Sequence, residues 1–264
     1  MKKKILETIC WARRYINRLA FKLSGRSHSN QQDLEDLCNK FSGKRCFIVC
    51  NGPSLKPDDL TRIQENGDIS FAANKIDKIF PRTSWRPTYY LVFDDSFQRT
   101  LLSTMQKINC ECQFYRTDSY LTTHKIKGHK VLWLNTDGNR EYLDSPKFSA
   151  DLSKVVYAIA TVTYISLQLA VYLGFKEIYI IGCDNSYGIE KLKDGTIVNH
   201  NKTSYFDGSD KNDSAKIVGE TWQMNIAYEY ARKYADENGI KIFNATRGGY
   251  LEAFERVNFD KLFS

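Results

Sequence analysis

Residues 161–183 constrain the fold of this chain more than any other segment. Residues 161–173 are mostly apolar over the length of a helix, and Gly174 stands where that helix would end. Residues 176–181 follow as a short apolar run rich in isoleucine, which is typical of a strand buried on both faces. A buried helix that leads directly into a buried strand predicts an α/β fold, a Rossmann-like and mostly parallel sheet with flanking helices.

Six further apolar runs have the length of strands in the same sheet. Glycine, proline, asparagine or aspartate stands at the ends of most of them, which is typical of strands followed by tight turns. The predicted strands are residues 46–50, 68–73, 87–93, 113–115, 130–134 and 240–243, and helices are predicted at 33–41, 57–63 and 219–238.

The first 26 residues hold eight lysines and arginines against one acid, Glu7, and so account for the whole formal net charge of +7. Apolar residues recur among them at helical spacing, which predicts a basic amphipathic helix over residues 1–26. Such a helix is typical of attachment to an anionic membrane surface, and the alternative is a helix packed on the domain or on a partner subunit.

The rest of the chain divides into a linker and one large domain. Residues 27–43 are predicted as a linker with a short helix, with a polar hinge around 24–32. Residues 44–264 then form a Rossmann-like catalytic domain. Within it, residues 185–216 are polar and contain three glycines, so we expect a lid-like insert there.

Composition excludes several classes of protein. The positive charge is confined to one segment, so we expect no nucleic acid partner. The seven cysteines include no CxxC pair and no zinc-site spacing, which favours free thiols in a reducing cytoplasm and no metal site. No apolar run is long enough to span a bilayer, and no secretory signal is present. We expect a cytoplasmic protein, peripheral on the inner face of the cell membrane, and leave open whether it is a homo-oligomer.

Polar residues follow five of the predicted strands. Because the carboxyl ends of parallel strands meet at one edge of a sheet, these residues predict a pocket rich in hydrogen-bonding groups. Such a pocket suits a nucleotide with hydroxyl groups better than a nucleophilic triad, and the chain has no GxSxG, GxxxxGK[ST] or GxGxxG motif. The polar residues are Asn51, Ser54, Asn74, Asp94, Asp95, Asp184, Asn244 and Thr246.

Two motifs carry a resemblance to known families. Residues 51–55 (NGPSL) after a strand, Asn74 at the next strand end and residues 173–184 (LGFKEIYIIGCD) resemble the bacterial lipooligosaccharide sialyltransferases. They also resemble proteins named after the archaeal 6-hydroxymethylpterin pyrophosphokinase, many of which accompany surface-glycan genes. The resemblance spans residues 44–250, and residues 244–252 (NATRGGYLE) are more similar to the second group.

The resemblance to the sialyltransferases implies roles for particular residues. The matching motif residues hold the cytidine nucleotide, two tyrosines support the leaving phosphate, and a histidine before the last helix is the base. Asp94 stands where that family has an asparagine, residues 161–163 lack its central serine, and Glu220 takes the place of the histidine. The implied donor-binding residues here are Asn51, Gly52, Ser54, Asn74, Asp94, Thr161, Thr163, Tyr187 and Tyr205. From the strand ends we add Asp184, Asn244 and Thr246 as donor-binding residues, and Arg247, beside two glycines, as a phosphate ligand.

We therefore expect a glycosyltransferase of bacterial surface-polysaccharide synthesis that uses a nucleotide-activated sugar, most simply a CMP-sugar, and a glycan or glycolipid acceptor. Transfer needs a base for the acceptor hydroxyl, and Glu220 and His200 are the candidates. Alternatively, Glu220 is an acid at a helix N-terminus, His200 a solvated loop residue, and Arg247 a partner in a surface salt bridge.

The donor sugar is then a substrate, no cofactor is obligatory, and the need for Mg²⁺ is left open. Two alternatives for the whole protein remain. One is a Mg²⁺-dependent pyrophosphokinase for a small hydroxymethyl substrate, with metal on carboxylates such as those of Asp94 and Asp95. The other is a nucleotide-binding protein without catalysis.

Overall fold

A computed structural model describes residues 2–138, 140–208 and 218–263. Within them the strands are β1 (Arg45–Val49), β2 (Ile69–Ala73), β3 (Tyr89–Leu91), β4 (Cys112–Arg116), β5 (Val131–Leu134), β6 (Thr136–Asp137), β7 (Val156–Tyr157), β8 (Glu177–Ile181), β9 (Ile189–Lys191), β10 (Ile197–Asn199), β11 (Val218–Gly219), β12 (Lys241–Asn244) and β13 (Glu255–Arg256).

The α helices of the same residues are α1 (Lys2–Leu23), α2 (Arg26–Glu35), α3 (Pro57–Glu65), α4 (Asp95–Thr100), α5 (Leu102–Met105), α6 (Tyr120–Thr123), α7 (Val162–Tyr172) and α8 (Thr221–Glu237). Short 3-10 helices lie at Ile76–Arg82, Thr117–Ser119, Arg140–Leu143 and Phe259–Phe263.

The central sheet is parallel throughout its described strands. Its order is β13-β12-β8-β1-β2-β3-β4-β5, so β1 lies between β8 and β2. In the register of that pairing, Val49 lies beside Ala72 on one side and beside Ile181 on the other. The predicted α/β, Rossmann-like fold is confirmed.

Both faces of the sheet are covered, which explains why its strands are continuous apolar runs. Ile48 points to the face that packs against α7, α8 and α2, whereas Phe47 and Val49 point to the face covered by α3 and the 3-10 helix at Phe259–Phe263. Each large side chain fully buried in this way contributes about 1.5–3 kcal/mol to folding. This packing holds the carboxyl ends of the strands in a fixed row.

The predicted polar hinge at 24–32 is mostly helical in the structure. Gly25, in the left-handed region at φ 71°, separates α1 from α2, and α2 runs along the edge of the sheet. The Asn30 side chain there donates to the carbonyl of Trp133 over 2.9 Å and accepts from its N–H over 2.8 Å. The Asn30 side chain thus pairs with the backbone N–H and carbonyl of Trp133 at the edge of the sheet formed by β5. The domain boundaries at residues 26 and 43 stay a prediction.

Helix α1 turns its arginines toward the protein. Asp118, whose side chain is 1% exposed, lies 2.7 Å from Arg116, 3.6 Å from Arg18 and 3.9 Å from Arg14. Asp95 accepts from Arg13 over 2.7 Å and is 3.3 Å from Arg116. We call these residues, Arg13, Arg14, Arg18, Arg116, Asp95 and Asp118, the arginine cluster; it docks α1 on the domain.

The opposite face of α1 is apolar and exposed. Leu23 is 77% exposed there, and the rings of Trp11 and Tyr15 stack on each other at 5.6 Å. The apolar residues of this face are Ile9, Trp11, Tyr15, Ile16, Leu19 and Leu23. Among the residues that the structure describes, no helix combines the length and the apolar character needed to cross a membrane.

The predicted lid-like insert contains a small sheet of its own. Strand β9 pairs antiparallel with β10 and parallel with β11, which follows the insert. Residues 209–217 lie outside the described part of the chain. The small sheet leads into α8 and stands beside the carboxyl edge of the large one.

Candidate functional site

A cavity of about 650 Å³ lies beyond the carboxyl ends of the central strands. Its walls come from the ends of β1, β2, β3 and β8, from the start of α7, and from the segments that flank the small sheet. This is the edge at which ligands of open α/β sheets bind, and the volume suits a nucleotide.

Glycines let the turns beyond β1 and β8 approach each other closely. The Gly52 N–H donates to the carbonyl of Gly182 over 2.8 Å, and a Cβ on Gly52 would meet that oxygen at 2.6 Å and also the carboxylate of Asp184. Gly182 has φ 64°, and a Cβ there would meet the carbonyl of Cys50 at 2.8 Å. Only glycine at these two positions allows this floor of the cavity.

Three asparagines of the cavity wall each carry a buried acceptor without a partner. The side chains of Asn51, Asn74 and Asn185 line the cavity, and the Oδ1 atom of each is buried without a hydrogen-bond partner. The Asn51 amide donates to the carbonyl of Ala73 over 3.0 Å, and that of Asn185 to Asn225 over 2.7 Å, so both amide groups are oriented. A buried acceptor without a partner costs about 1–3 kcal/mol, and a ligand that offers donors would recover that energy.

Two of these asparagines have left-handed backbones, Asn74 at φ 56° and Asn185 at φ 49°. Asparagine tolerates this conformation better than most residues. The left-handed residue breaks the strand direction at the edge of the sheet and so places the side chain in the cavity wall.

Ser54 and Asp184 bind each other rather than standing free. The Asp184 carboxylate accepts from the Ser54 hydroxyl over 2.8 Å and from its N–H over 3.2 Å. The predicted donor-binding role of Ser54 therefore competes with a structural one, because its hydroxyl ties the first motif to the end of β8. Asp184 still lines the cavity.

The N-terminus of α7 opens into the cavity. Thr161 caps it by accepting from the Thr163 N–H over 3.3 Å, and Ala160 before it has φ 52°. Both threonines line the cavity. The partial positive charge of a helix N-terminus favours an anionic group at this wall.

A pair of thiols forms part of the cavity wall. The Cys183 thiol donates to Cys50, which lowers the pKa of Cys50 and raises that of Cys183 well above its usual value. The Cys50 sulfur also lies 3.4 Å from the Thr163 hydroxyl, and the Cys183 sulfur 3.6 Å from that of Tyr228. Burial raises the pKa of Tyr228, so this phenol stays protonated.

The two predicted tyrosines also line the cavity. Tyr187 packs on Gly219, where a Cβ would overlap its ring, and its hydroxyl lies 3.5 Å from the Met224 sulfur. Tyr205 is 9% exposed, and the adjacent Phe206 N–H donates to the carbonyl of Asn51 over 3.0 Å. The segment around Tyr205 is thus fastened to the first motif.

Asp94 lines the cavity as well, but its carboxylate is engaged. It caps α4 by accepting from the N–H groups of Ser96 over 2.7 Å and Phe97 over 3.1 Å. Asp95 belongs to the arginine cluster instead of forming an acidic pair with Asp94. Within the residues described, no group of three or more His, Cys, Asp or Glu side chains is arranged to hold a metal ion.

Three predicted residues at the end of β12 and just beyond it lie away from the cavity wall. Asn244 donates to the carbonyl of Leu251 over 2.6 Å, and Thr246 accepts from the Cys183 N–H over 3.1 Å. Arg247 pairs with Asp59 and, over 2.9 Å, with Asp260. Strand β8 lies directly beside β1, and β12 lies on the far side of β8. The side chains at the end of β12 therefore stabilise the loops behind the cavity wall.

The two candidate bases directly follow strands of the small sheet, His200 after β10 and Glu220 after β11, and neither lines the cavity. The His200 Nε2 atom lies 3.2 Å from a Glu190 carboxylate oxygen, and Glu220 accepts from the Lys191 ammonium over 2.9 Å. Glu220 follows Val218, a cavity residue, by two positions. It also precedes α8, as an acid at a helix N-terminus would.

Several residues of the cavity wall were not predicted from the sequence. Cys50, Cys183 and Asn185 each stand directly beside a residue that was selected, so examining both neighbours of every strand end would have found them. Tyr228 lies on α8 and carries no such signal. It reaches the wall only because α8 packs against the sheet.

A family model described as 6-hydroxymethylpterin diphosphokinase MptE-like matches residues 25–190, more than half of the chain. The solved structure of the MAf glycosyltransferase from Magnetospirillum magneticum AMB-1 superposes with a TM-score of 0.53 at 15% identity. The superposition covers 89% of this chain and 38% of that one, and it shows a shared fold. No protein with a curated description matches.

Proposed function

This chain belongs to the 6-hydroxymethylpterin diphosphokinase MptE-like family, and from that premise we propose that it is a glycosyltransferase of surface-polysaccharide synthesis that uses a CMP-sugar. The observation that carries the proposal is the row of buried acceptors on Asn51, Asn74 and Asn185. A ligand for this row must offer hydrogen-bond donors. The cytosine amino group and the ribose hydroxyls are such donors, and the cavity has the volume for a nucleotide.

The wall also suits the departure of a phosphate. In transfer from a nucleotide sugar the bond between the sugar and the phosphate breaks while an acceptor hydroxyl loses its proton. The N-terminus of α7, capped by Thr161, stabilises the charge that develops on the phosphate. Tyr187 and Tyr205 line the same cavity and carry hydroxyl donors.

In this proposal the base is a residue that directly follows a strand of the small sheet. Glu220 is the first candidate, because it follows the cavity residue Val218 closely, and His200, oriented by Glu190, is the second. In this proposal a shift of the small sheet brings either group to an acceptor at the cavity mouth.

The acceptor is a glycan or glycolipid, and residues 1–26 attach the protein to the anionic inner face of the cell membrane. The exposed apolar face of α1 supports this part of the proposal. Membrane attachment in this proposal depends more on the apolar face than on charge. The reason is that three basic residues of α1 bind Asp95 and Asp118 instead of facing lipid phosphates.

A pyrophosphokinase is the second candidate function. The name of the family and the two carboxylates in the cavity, Asp94 and Asp184, favour it, since ATP-dependent transfer needs Mg²⁺ held by oxygen ligands. A nucleotide-binding protein without catalysis remains the third, because the described cavity wall has no histidine and residues 161–163 lack a serine.

The test is a thermal-shift panel with CMP, CDP, UDP, GDP and ATP, each with and without Mg²⁺. A ligand at about 100 times its dissociation constant adds about 2.7 kcal/mol to the free energy of unfolding. We expect CMP to stabilise the protein without metal. Stabilisation by ATP with Mg²⁺ alone would establish the kinase instead, and no response at all would overturn both.

Asn74→Gly is the matched loss-of-site variant. Glycine accepts the φ of 56°, so the fold should keep its stability within about 1 kcal/mol, whereas the Oδ1 acceptor is lost. Loss of this acceptor should weaken CMP binding by about 1–3 kcal/mol, so CMP should stabilise the variant clearly less than the wild type. Asn39→Gly, at an exposed residue with the same φ, is the control and should respond to CMP like the wild type.

A further inference from the structure

A second cavity, an open groove of about 670 Å³, lies along α8. One side is the face of α8 that carries Asn225, Glu229, Arg232 and Asp236, and the other side is formed by residues 250–253. We call it the α8 groove. An α-helix rises about 1.5 Å per residue, so the groove extends over about 16 Å from Asn225 to Asp236. That length suits a chain of several units better than a single small molecule.

The α8 groove meets the first cavity at Asn185, which lines the first cavity. The Asn185 amide donates to the Asn225 side chain over 2.7 Å and to the Tyr250 carbonyl over 3.4 Å. Asn225 and Tyr250 both line the groove. The Tyr250 N–H donates to the carbonyl of Asp184, another residue of the first cavity, over 2.8 Å. The two cavities therefore share a wall, and a ligand of the groove lies nearest to a ligand of the first cavity at this end.

Tyr250 gives the groove an exposed aromatic ring on a fixed backbone. The residue is 68% exposed, and the Lys202 ammonium lies 5.5 Å from the centroid of its ring. Gly249 before it has φ 72° and packs on Asp184, where a Cβ would lie 2.7 Å from the carbonyl oxygen. An exposed ring beside amide and carboxylate groups suits a sugar, because the C–H groups of a pyranose stack on the ring while its hydroxyl groups bind the polar side chains.

The charged groups of the groove favour hydroxyl groups over an anion. Each of the two cations among its described lining residues has a carboxylate partner four residues further along α8, Arg232 over 3.6 Å and Lys233 over 4.0 Å. Glu229 and Glu252 add two further carboxylates, of which Glu252 binds Arg256. The lining thus offers carboxylate and amide oxygens as acceptors, and a neutral sugar supplies the matching donors.

We propose that the α8 groove is the acceptor site, in which a sugar ring of the acceptor glycan stacks on Tyr250 and its hydroxyl groups bind Asn225 and Glu229. The inference rests on the proposed transfer from a nucleotide sugar and adds the place of the acceptor to it. Asn225, at the end of the groove beside the first cavity, follows Glu220, the first candidate for the base, by five residues. The donor occupies the first cavity, and the acceptor reaches it along α8.

A printed array of neutral and amino-bearing oligosaccharides, probed with the labelled full-length protein, tests the acceptor site. The wild type should bind part of the array. Tyr250→Ala removes the ring and keeps the backbone bonds to Asp184 and Asn185, so we expect it to weaken glycan binding about tenfold or more while CMP stabilises it like the wild type. Tyr250→Phe keeps the ring and should bind like the wild type. Glu229→Ala removes an acceptor and should weaken glycan binding about threefold or more.

Leu121→Ala is the control. Leu121 is an exposed apolar residue of α6, which follows β4 near the opposite edge of the central sheet, so its truncation should leave glycan binding unchanged. A wild type that binds no glycan of the array, or equal binding by Tyr250→Ala and the wild type, would overturn the acceptor site; stabilisation by CMP would then leave the donor site standing. Glycan binding without a response to any nucleotide would overturn the proposed function and leave the groove as a glycan-binding site.

Discussion

At the scale of single residues, Gly52 holds two parts of the cavity together. Its N–H binds Gly182, and its missing side chain leaves room for the carboxylate of Asp184. That carboxylate in turn holds Ser54. One glycine thus determines how closely the turn beyond β1 and the turn beyond β8 can meet.

Gly52→Ala should therefore destabilise the protein by about 1–3 kcal/mol, because the added methyl group overlaps Asp184 and lies 2.6 Å from the carbonyl of Gly182. Urea unfolding measures the loss. Gly128→Asn is the control: Gly128 is exposed in open space at φ 76°, which asparagine tolerates, so its stability should change by less than about 0.5 kcal/mol. Equal stability of Gly52→Ala and the wild type would contradict the close approach described here.

Residues next to strand ends were predictable, and their partners were not. Asn51, Asn74 and Asp184 were selected from the sequence because a polar residue follows an apolar run, and they do line one cavity. The bond between Ser54 and Asp184 joins residues 130 positions apart, and Asn244 binds Leu251 in a loop without a pattern. Local sequence says which residues are polar, whereas tertiary packing decides what satisfies them.

At the scale of elements, α1 likewise has one property that the sequence predicts and one that depends on tertiary contacts. Its apolar and basic periodicity correctly predicted a helix, since that depends on local spacing. The direction of its arginines depends on Asp95 and Asp118, which lie far away in sequence. Strands as short as β6, β7 and β13 have two residues each and no periodicity to detect.

The exposed face of α1 leads to a prediction about membranes. Ile16→Asp combined with Leu19→Asp should lower co-sedimentation with vesicles that contain anionic phospholipid at least about tenfold, because burial of each apolar side chain contributes about 1.5–3 kcal/mol. Leu192→Asp changes an exposed leucine of the small-sheet region and should bind vesicles like the wild type.

Unchanged vesicle binding by the double variant would contradict the membrane role of α1. If the double variant instead halves the mass measured by light scattering, the face binds a second copy of the chain.

At the scale of the whole molecule, burial of weak acids determines the response to alkali. Burial raises the pKa of Cys110 to about 12 and that of Tyr172 to about 12. It also raises the pKa of Cys46 and Cys112. These groups keep their protons in the folded chain at pH values where the unfolded chain releases them.

Stability should therefore be independent of these groups at neutral pH and fall as the pH rises from about 9 toward about 12. Each buried thiol contributes up to about 1.4 kcal/mol per pH unit in that window. Urea unfolding in reductant at several pH values measures the slope. Cys110→Ser should make it shallower, and Cys10→Ser, at an exposed thiol of α1, is the control. A slope that does not depend on Cys110 would argue against its burial.

The position of β1 between β2 and β8 has a consequence for synthesis on the ribosome. The partner on one side, β2, follows β1 closely, but the partner on the other side comes only after all of β2–β7 and α7 have been made. Ser54 and Asp184, at the two carboxyl ends, are 130 residues apart, so at about 5–20 residues per second the wait is roughly 10 s. Throughout that time the nascent chain carries an apolar strand with one unpaired edge, which is the kind of surface that chaperones bind and that aggregates form from.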